Sequence, residues 1–166
     1  MREQPKDRNR LLHIVDAIDI ILERSNGMTR DDLTADKLLF GGIVYYTMII
    51  GEAVYNLTKA FCRAHPETPW QMIAKMRHNL AHGYYQVDPD IVWSVIQNDL
   101  KPLREQVAGY LANTDWDEWE KNVVVVKETA VHKNIIQTAE RLKSRGYDIT
   151  EISKITGLTR DEIERL

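Results

Sequence analysis

Apolar residues recur at intervals of three and four between Arg8 and Leu111, which is the spacing of helices that bury one face. Asn26-Gly27 predicts the end of the first such helix, because both residues tolerate a left-handed backbone. The repeated pattern predicts an all-α fold, an up-and-down antiparallel bundle of four to five helices. The apolar stripe of the first helix comprises Leu11, Leu12, Ile14, Val15, Ile18, Ile21 and Leu22.

A second, longer helix is predicted between a capping threonine at Thr34 and about Arg63. Gly41, Gly42 and Gly51 lie inside it. A glycine in a helix interior costs about 1 kcal/mol relative to alanine, so its presence requires a reason. We expect another helix to approach the backbone closely at these positions.

The most apolar stretch of the chain, Leu38 to Ala60, is interrupted by Glu52, Asn56 and Lys59. Such interruptions predict a core helix rather than a membrane span.

The charged N-terminus lacks the apolar segment of a signal peptide, and the single cysteine, Cys62, excludes an intrachain disulfide. We therefore expect a cytoplasmic protein with no membrane segment.

Two further helices are predicted in the second half of the bundle. Thr68 is a candidate cap with Pro69 at the first helical position, and Asp88-Pro89 opens the next helix. Pro102 is expected to kink or divide that helix. The apolar stripes are Met72, Ile73, Met76 and Leu80 in one helix, and Ile91, Val92, Val95, Ile96, Leu100, Leu103, Val107, Tyr110 and Leu111 in the other.

The composition changes after Asn113, which predicts a bundle domain over residues 1–113. Residues 114–128 are interpreted as a linker, in which the β-branched run 123–126 favours a short strand or an extended connector. A tail over residues 129–166 is predicted to end in two short helices around Gly157, the second with a Thr159–Glu162 capping box. It resembles the helix-turn-helix-like ends of some bacterial transposase-related nucleases, but it is not basic. A helical hairpin that packs on protein is therefore favoured over a DNA-binding role.

The segment Arg77-His-Asn-Leu-Ala-His82-Gly-Tyr-Tyr85 carries the candidate chemistry. Histidine can act as base or acid near neutral pH, and arginine offers a permanently charged fork for phosphate. Arg77 and His82 lie five positions apart, roughly 140° around a regular helix, so the chain is expected to leave the helix near His82, at Gly83. In the plainer interpretation, the two cationic side chains only complement the dipole of a helix end.

Arg77, His82 and Tyr84 match the R-x4-H-x-Y motif, and on this motif the chain resembles the HepT-like toxins of the HEPN superfamily. Further resemblance follows in the same order along the chain and covers roughly Arg8 to Leu111. It is carried by Ile50-Gly-Glu-Ala53 with Asn56, Pro69-Trp70, Ile73, Met76-Arg77, Val92-Trp93 and Asp99-Leu100. The chain departs from the family at His78, where asparagine is usual, and so has a second titratable group beside the motif.

The resemblance implies a homodimer with two motifs in one cleft. It implies an endoribonuclease that uses no metal or cofactor and leaves a 2′,3′-cyclic phosphate. Arg77 and His82 would be catalytic, with His78 and Glu52 in supporting roles. From its place in the sequence, Glu52 is either a buried partner of Arg77, which we favour, or a polar contact within the bundle. The resemblance also implies a partner, an MNT-type nucleotidyltransferase antitoxin that silences the toxin by transferring AMP to Tyr84.

The net charge and the histidines outside the motif bear on the expected RNA binding and on the expected absence of a metal. The net charge of −3 excludes RNA binding by overall charge, so an RNA substrate requires a local basic site. His13, His65 and His132 have no neighbours at metal-ligand spacing, so we expect no metal. The acidic charge and His78 keep an alternative open: a non-catalytic protein that binds a nucleotidyltransferase or a nucleotide through the same cleft.

Overall fold

The computed structural model describes residues 6–83 and 86–166, and for residues 124–128 it describes the backbone alone. It divides into two compact units, Met1–Asp115 and Trp116–Leu166. The helices of the first unit are α1 (Asp7–Ser25), α2 (Arg30–Ala35), α3 (Lys37–Tyr55), α4 (Lys59–Ala64), α5 (Trp70–His82), α6 (Pro89–Ser94), a π-helical turn (Val95–Asp99) and α7 (Leu100–Asn113). Those of the second unit are α8 (Trp116–Ser144), α9 (Ile149–Thr156) and α10 (Arg160–Glu164).

The predicted all-α fold is confirmed: the first unit is a helical bundle in which α3 packs against both α1 and α5, and α7 packs against α1. The buried stripe of α1 follows the predicted period, although Leu12 is 46% exposed. Leu12 is exposed because its side chain projects about 100° around the helix axis from that of its fully buried neighbour Leu11, at the edge of the buried face. The core of the unit includes Leu11, Ile14, Ile18, Ile21, Ile43, Ile50, Phe61, Leu100 and Val107.

The predicted single helix from Thr34 to about Arg63 is wrong at both ends. Asp36, not Thr34, caps α3, because its carboxylate accepts hydrogen bonds from the backbone N–H groups of residues 38 and 39, at 3.0 Å each. At the other end α3 stops at Tyr55, and Thr58 caps the separate helix α4. Polar caps at Asp36 and Thr58 satisfy the unpaired N–H groups of two helix starts.

A buried carboxylate fixes the position of α4. Asp7, 4% exposed, accepts hydrogen bonds from the backbone N–H of Thr58 at 2.8 Å and from its hydroxyl at 2.7 Å. Arg10 lies 3.7 Å from the same carboxylate. The chain therefore breaks between α3 and α4 where Asp7 holds the cap of α4.

The start of α5 differs by one position from the prediction. Pro69 is the residue before the helix rather than its first residue, and Thr68 does not cap it. The Thr68 hydroxyl instead lies 2.6 Å from the hydroxyl of Tyr110 on α7. Trp70 is buried, at 6% exposed, and its indole N–H donates to the carbonyl of His65 at 2.7 Å.

Pro102 lies inside α7, so the last helical segment of the bundle continues through it and is not divided there. Asp88 caps α6 with Pro89 at its first position, and five residues in π-helical conformation then precede α7. Proline lacks an N–H and clashes with the carbonyl of the residue four positions earlier, here Asn98, which lies inside the π-helical turn. The π-helical turn is wider than a regular helical turn, so it relieves the clash between the Pro102 ring and the Asn98 carbonyl while the helix continues.

The α3 helix has the length and the composition of a membrane span, with a third of its most apolar window buried inside the structure. It lies between α1 and α5 and also contacts α2, and a core helix of a bundle has the same composition. These contacts agree with the expectation of a core helix.

The second unit differs from the prediction of a linker over residues 114–128. Residues 116–144 form one continuous helix, α8, so the run 123–126 is neither a strand nor an extended connector. β-branched residues lower helix propensity by only a few tenths of a kcal/mol each, which the helix-favouring residues around them offset. The two short helices around Gly157 are confirmed, with Gly157 left-handed at φ 74°.

This second unit has a small core of its own. Ala139 on α8, Ile152 on α9 and Leu158 and Ile163 near α10 are at most 7% exposed. The ammonium of Lys143 donates to the carbonyls of Ile163 and Glu164 at 3.0 Å each, near the end of α10. The three helices thus pack around one small apolar core.

Candidate functional site

Two residues of α3 hold Arg77 on α5. The Nε of Arg77 lies 2.6 Å from a carboxylate oxygen of Glu52, and its guanidinium carbon lies 5.1 Å from the centre of the Tyr55 ring. The amide of Asn56 donates to the second oxygen of Glu52 at 2.8 Å, which fixes the orientation of the carboxylate. The expected Arg77–Glu52 contact is therefore present, but the two side chains are 34% and 51% exposed rather than buried.

Sequence reasoning missed Tyr55 as a contact of Arg77. A signal was available, since Glu52 and Tyr55 are three positions apart and share one face of α3. An arginine over an aromatic ring gains cation–π attraction, and Tyr55 is largely exposed. Tyr55 and Glu52 together restrict the orientation of the guanidinium.

The close approach of α3 and α5 depends on Gly51. A Cβ at this position would overlap the Cβ of Arg77 and lie 3.2 Å from its Cα and N. The predicted close approach is thus correct at Gly51. It is wrong at Gly41 and Gly42, where a Cβ would meet nothing within 4 Å in this chain.

His78 and His82 lie side by side on another face of α5. Their ring centres are 4.5 Å apart, and both residues are exposed. Helix α5 continues through His82, so Arg77 and His82 leave it roughly 140° apart. The chain does not leave the helix early enough to bring these two side chains onto one face.

Helix α5 ends at Gly83, as predicted, but not through a left-handed glycine. Gly83 has φ −106°, and its N–H still donates to the carbonyl of Asn79 at 2.8 Å. A Cβ at Gly83 would lie 2.7 Å from that carbonyl oxygen, which explains the need for glycine. Tyr84, the expected modification site, lies outside the described residues.

An apolar groove of about 720 Å³ runs along a third face of α5. Met72 and Met76 line one side of it, and Ile91 and Val95 of the following helical segment line the other. Met72 and Ile91 are more than 60% exposed. Helix α5 therefore has three distinct sides: one carries Arg77 towards α3, one carries the two histidines, and one lines this groove.

No group of three or more histidine, cysteine, aspartate or glutamate side chains suited to a metal occurs in residues 6–83 and 86–166. The absence of a metal from the chemistry remains a prediction. The described site residues are thus a guanidinium, its carboxylate partner and two imidazoles.

A model of the "Ribonuclease HepT-like" family matches residues 14–109, more than half of the chain. The chain belongs to the HepT-like ribonuclease family. This family lies in the HEPN superfamily, and membership confirms the resemblance inferred from the motif. The matched region contains most of α1, all of α2 to α6 and most of α7, and with them Glu52, Arg77, His78 and His82.

Three relatives illustrate the similarity of this HepT-like chain to curated proteins. A "Putative RNase" of Caldanaerobacter subterraneus subsp. tengcongensis is 38% identical over 61% of this chain and 90% of the relative. A "Probable ribonuclease HepT" of Thermococcus cleftensis is 35% identical over 63% and 93%. A "Gamma-glutamylcyclotransferase and putative RNase" of Methanocaldococcus jannaschii is 29% identical over 80% of this chain and 60% of the relative. No solved structure matches the chain.

Proposed function

We propose that this chain is a metal-independent endoribonuclease that acts through Arg77 and His82. The observation that carries the proposal is the fixed position of Arg77, held by Glu52 and Tyr55 on the helix that bears the two exposed histidines. The names of the relatives support the same activity. In this proposal Arg77 binds the scissile phosphate, and Glu52 positions Arg77.

The proposed chemistry needs three groups. A base takes the proton of the RNA 2′-hydroxyl, a cation stabilises the phosphorane, and an acid protonates the leaving 5′-oxygen. A guanidinium has five N–H donors, and the contact with Glu52 uses the one on Nε. The N–H groups on the two terminal nitrogens of Arg77 can therefore form a bidentate pair with phosphate.

The separation of the two motif side chains favours a homodimer. Arg77 and His82 project in directions roughly 140° apart from one helix, so one chain presents them poorly to a single phosphate. A second copy that faces the first would place both motifs in one cleft. Light scattering coupled to size-exclusion chromatography should give twice the chain mass, and a monomer would contradict this part of the proposal.

Cleavage of a labelled RNA by the purified protein tests the activity. Arg77→Ala and His82→Ala should each lower the rate at least about 100-fold, the lower range for losing one proton-transfer or charge-stabilising group. Arg63→Ala and His13→Ala change exposed residues on α4 and α1 and serve as matched controls with unchanged rates. Full activity in a folded Arg77→Ala protein would refute the assignment.

We further propose that the enzyme is a cytoplasmic toxin that an MNT-type nucleotidyltransferase silences by transferring AMP to Tyr84. Tyr84 follows Gly83, two positions beyond His82. A bulky anion there would occupy the cleft and compete with RNA phosphate for Arg77. This part of the proposal rests on the family and on the motif.

Co-expression with such a nucleotidyltransferase tests the silencing. Intact mass and peptide mapping should show an added AMP on Tyr84, and Tyr84→Phe should escape silencing. If the partner silences Tyr84→Phe equally well, inhibition is by binding alone. That result would favour a protein that interacts with its partner without modification.

A further inference from the structure

The pair His78 and His82 is a feature that the family motif does not account for. The motif requires one histidine, and this chain has a second one four positions earlier, on the same face of α5. The ring centres are 4.5 Å apart, with planes inclined by 54°. Each chain therefore presents two adjacent imidazoles to solvent.

This face of α5 is separate from the face that holds Arg77. Gln71, Lys75, His78 and His82 recur at helical spacing and are all exposed. The ammonium of Lys75 adds a positive charge to the same stripe. The stripe thus combines a cation that attracts phosphate with two groups that can transfer protons.

We infer that His78 and His82 of one chain form the acid–base pair of the cleavage reaction, an inference that rests on the proposed ribonuclease function. The neutral imidazole of one histidine accepts the 2′-hydroxyl proton as the 2′-oxygen bonds to phosphorus. The imidazolium of the other donates its proton to the 5′-oxygen as the phosphorus–oxygen bond breaks. One proton enters the pair and one leaves it, so the step is balanced with a 2′,3′-cyclic phosphate and a 5′-hydroxyl as products.

The separation of the rings suits this division of roles. In two-metal phosphoryl-transfer enzymes, ions roughly 3.5–4 Å apart stabilise both the attacking and the leaving oxygen of an in-line displacement, so groups at about this separation can serve both oxygens. Two imidazoles with centres 4.5 Å apart can each place a nitrogen within hydrogen-bond reach of one of these oxygens. One chain can then supply both the acid and the base, and the reaction does not need the His82 residues of two subunits for these roles.

Conservative variants give the first test. His78→Asn restores the usual family residue, and both His78→Asn and His82→Asn should lower kcat/KM about 100-fold or more while the circular dichroism spectrum is unchanged. His13→Asn on α1 is the matched control and should retain wild-type activity.

An RNA with a bridging 5′-sulfur needs no acid, since a thiolate leaves without protonation. This substrate should restore the rate of only one of the two variants; rescue of both or of neither would contradict the pair.

Mixed dimers with a different affinity tag on each subunit test whether the pair lies within one chain. A dimer of one His78→Asn subunit and one His82→Asn subunit contains no chain with both histidines, and it should remain inactive. Recovery of activity would show that acid and base come from different subunits. Full activity of His78→Asn alone would overturn the inference and leave the proposed function intact. An inactive wild-type protein would overturn the function itself, and the inference with it.

Discussion

Gly51 offers a direct test of how the bundle positions Arg77. Alanine at this position would add a Cβ that overlaps the Cβ of Arg77 and lies 3.2 Å from its backbone. Because the colliding atoms belong to the backbone and to the first side-chain atom of a helix, no flexible side chain can move aside. Helices α3 and α5 would have to separate by roughly 1 Å to restore ordinary carbon contacts.

The expected cost follows from comparison with Gly41 on the same helix, where a Cβ would meet nothing within 4 Å. Both substitutions gain the helix propensity of alanine over glycine, about 1 kcal/mol. Their difference therefore isolates the steric cost, which is about 1–3 kcal/mol for overpacking. Gly41→Ala should raise the free energy of unfolding by up to about 1 kcal/mol, and Gly51→Ala should lie about 1–3 kcal/mol below it.

Urea unfolding at equal protein concentration measures both variants, since self-association would otherwise shift the midpoints. RNA cleavage measured on the folded Gly51→Ala protein should also fall, because Arg77 moves away from Glu52 and Tyr55. Equal stability of the two variants would refute the claim that Gly51 sets the distance between α3 and α5.

Three further substitutions test other parts of the fold. Asp7→Ala should lower the free energy of unfolding by about 2–3 kcal/mol, because Thr58 loses the acceptor of its N–H and hydroxyl. A hydrogen bond from Arg104 lowers the pKa of Asp19, so Arg104→Gln should destabilise the protein above about pH 4 and lose this effect as the pH falls. Ile152→Ala should abolish amide-exchange protection in the small second unit, because it removes a fully buried side chain from a small core.

Matched controls accompany these substitutions. Asp16→Ala changes an exposed carboxylate on α1 and should leave urea stability unchanged. Ile155→Ala changes a side chain on α9 that is 61% exposed and should preserve amide protection. For Arg104→Gln, a pH-independent loss of stability would contradict the role of Asp19, whose lowered pKa stabilises the fold only while the carboxylate is ionised.

The sequence pattern predicted the helices better than their ends. The three- and four-residue period predicted the buried stripe of α1, and the Asp88-Pro89 pair located the start of α6. The break between α3 and α4 was missed because it depends on Asp7, which is 51 positions from Thr58. A tertiary hydrogen bond of this kind leaves no local signal.

For the candidate site, too, the sequence predicted some features and missed others that depend on packing. The motif made Arg77 a candidate site residue, and its contact with Glu52 was the favoured of two interpretations. The proximity of Gly51 to Arg77 is a packing result, since a glycine predicts close approach without naming the residue that approaches. The continuous α8 was missed because local β propensity at 123–126 was outweighed by the helix that surrounds it.

The ends of the RNA products test the central claim most directly. Mass spectrometry of a short RNA digested by the purified protein in EDTA should show 2′,3′-cyclic phosphate and 5′-hydroxyl ends, absent with Arg77→Ala. These products require attack by the RNA's own 2′-hydroxyl, which the guanidinium and imidazoles of this site can promote without a metal. Products with 5′-phosphate and 3′-hydroxyl ends, or cleavage that stops in EDTA and returns with added metal, would contradict the account.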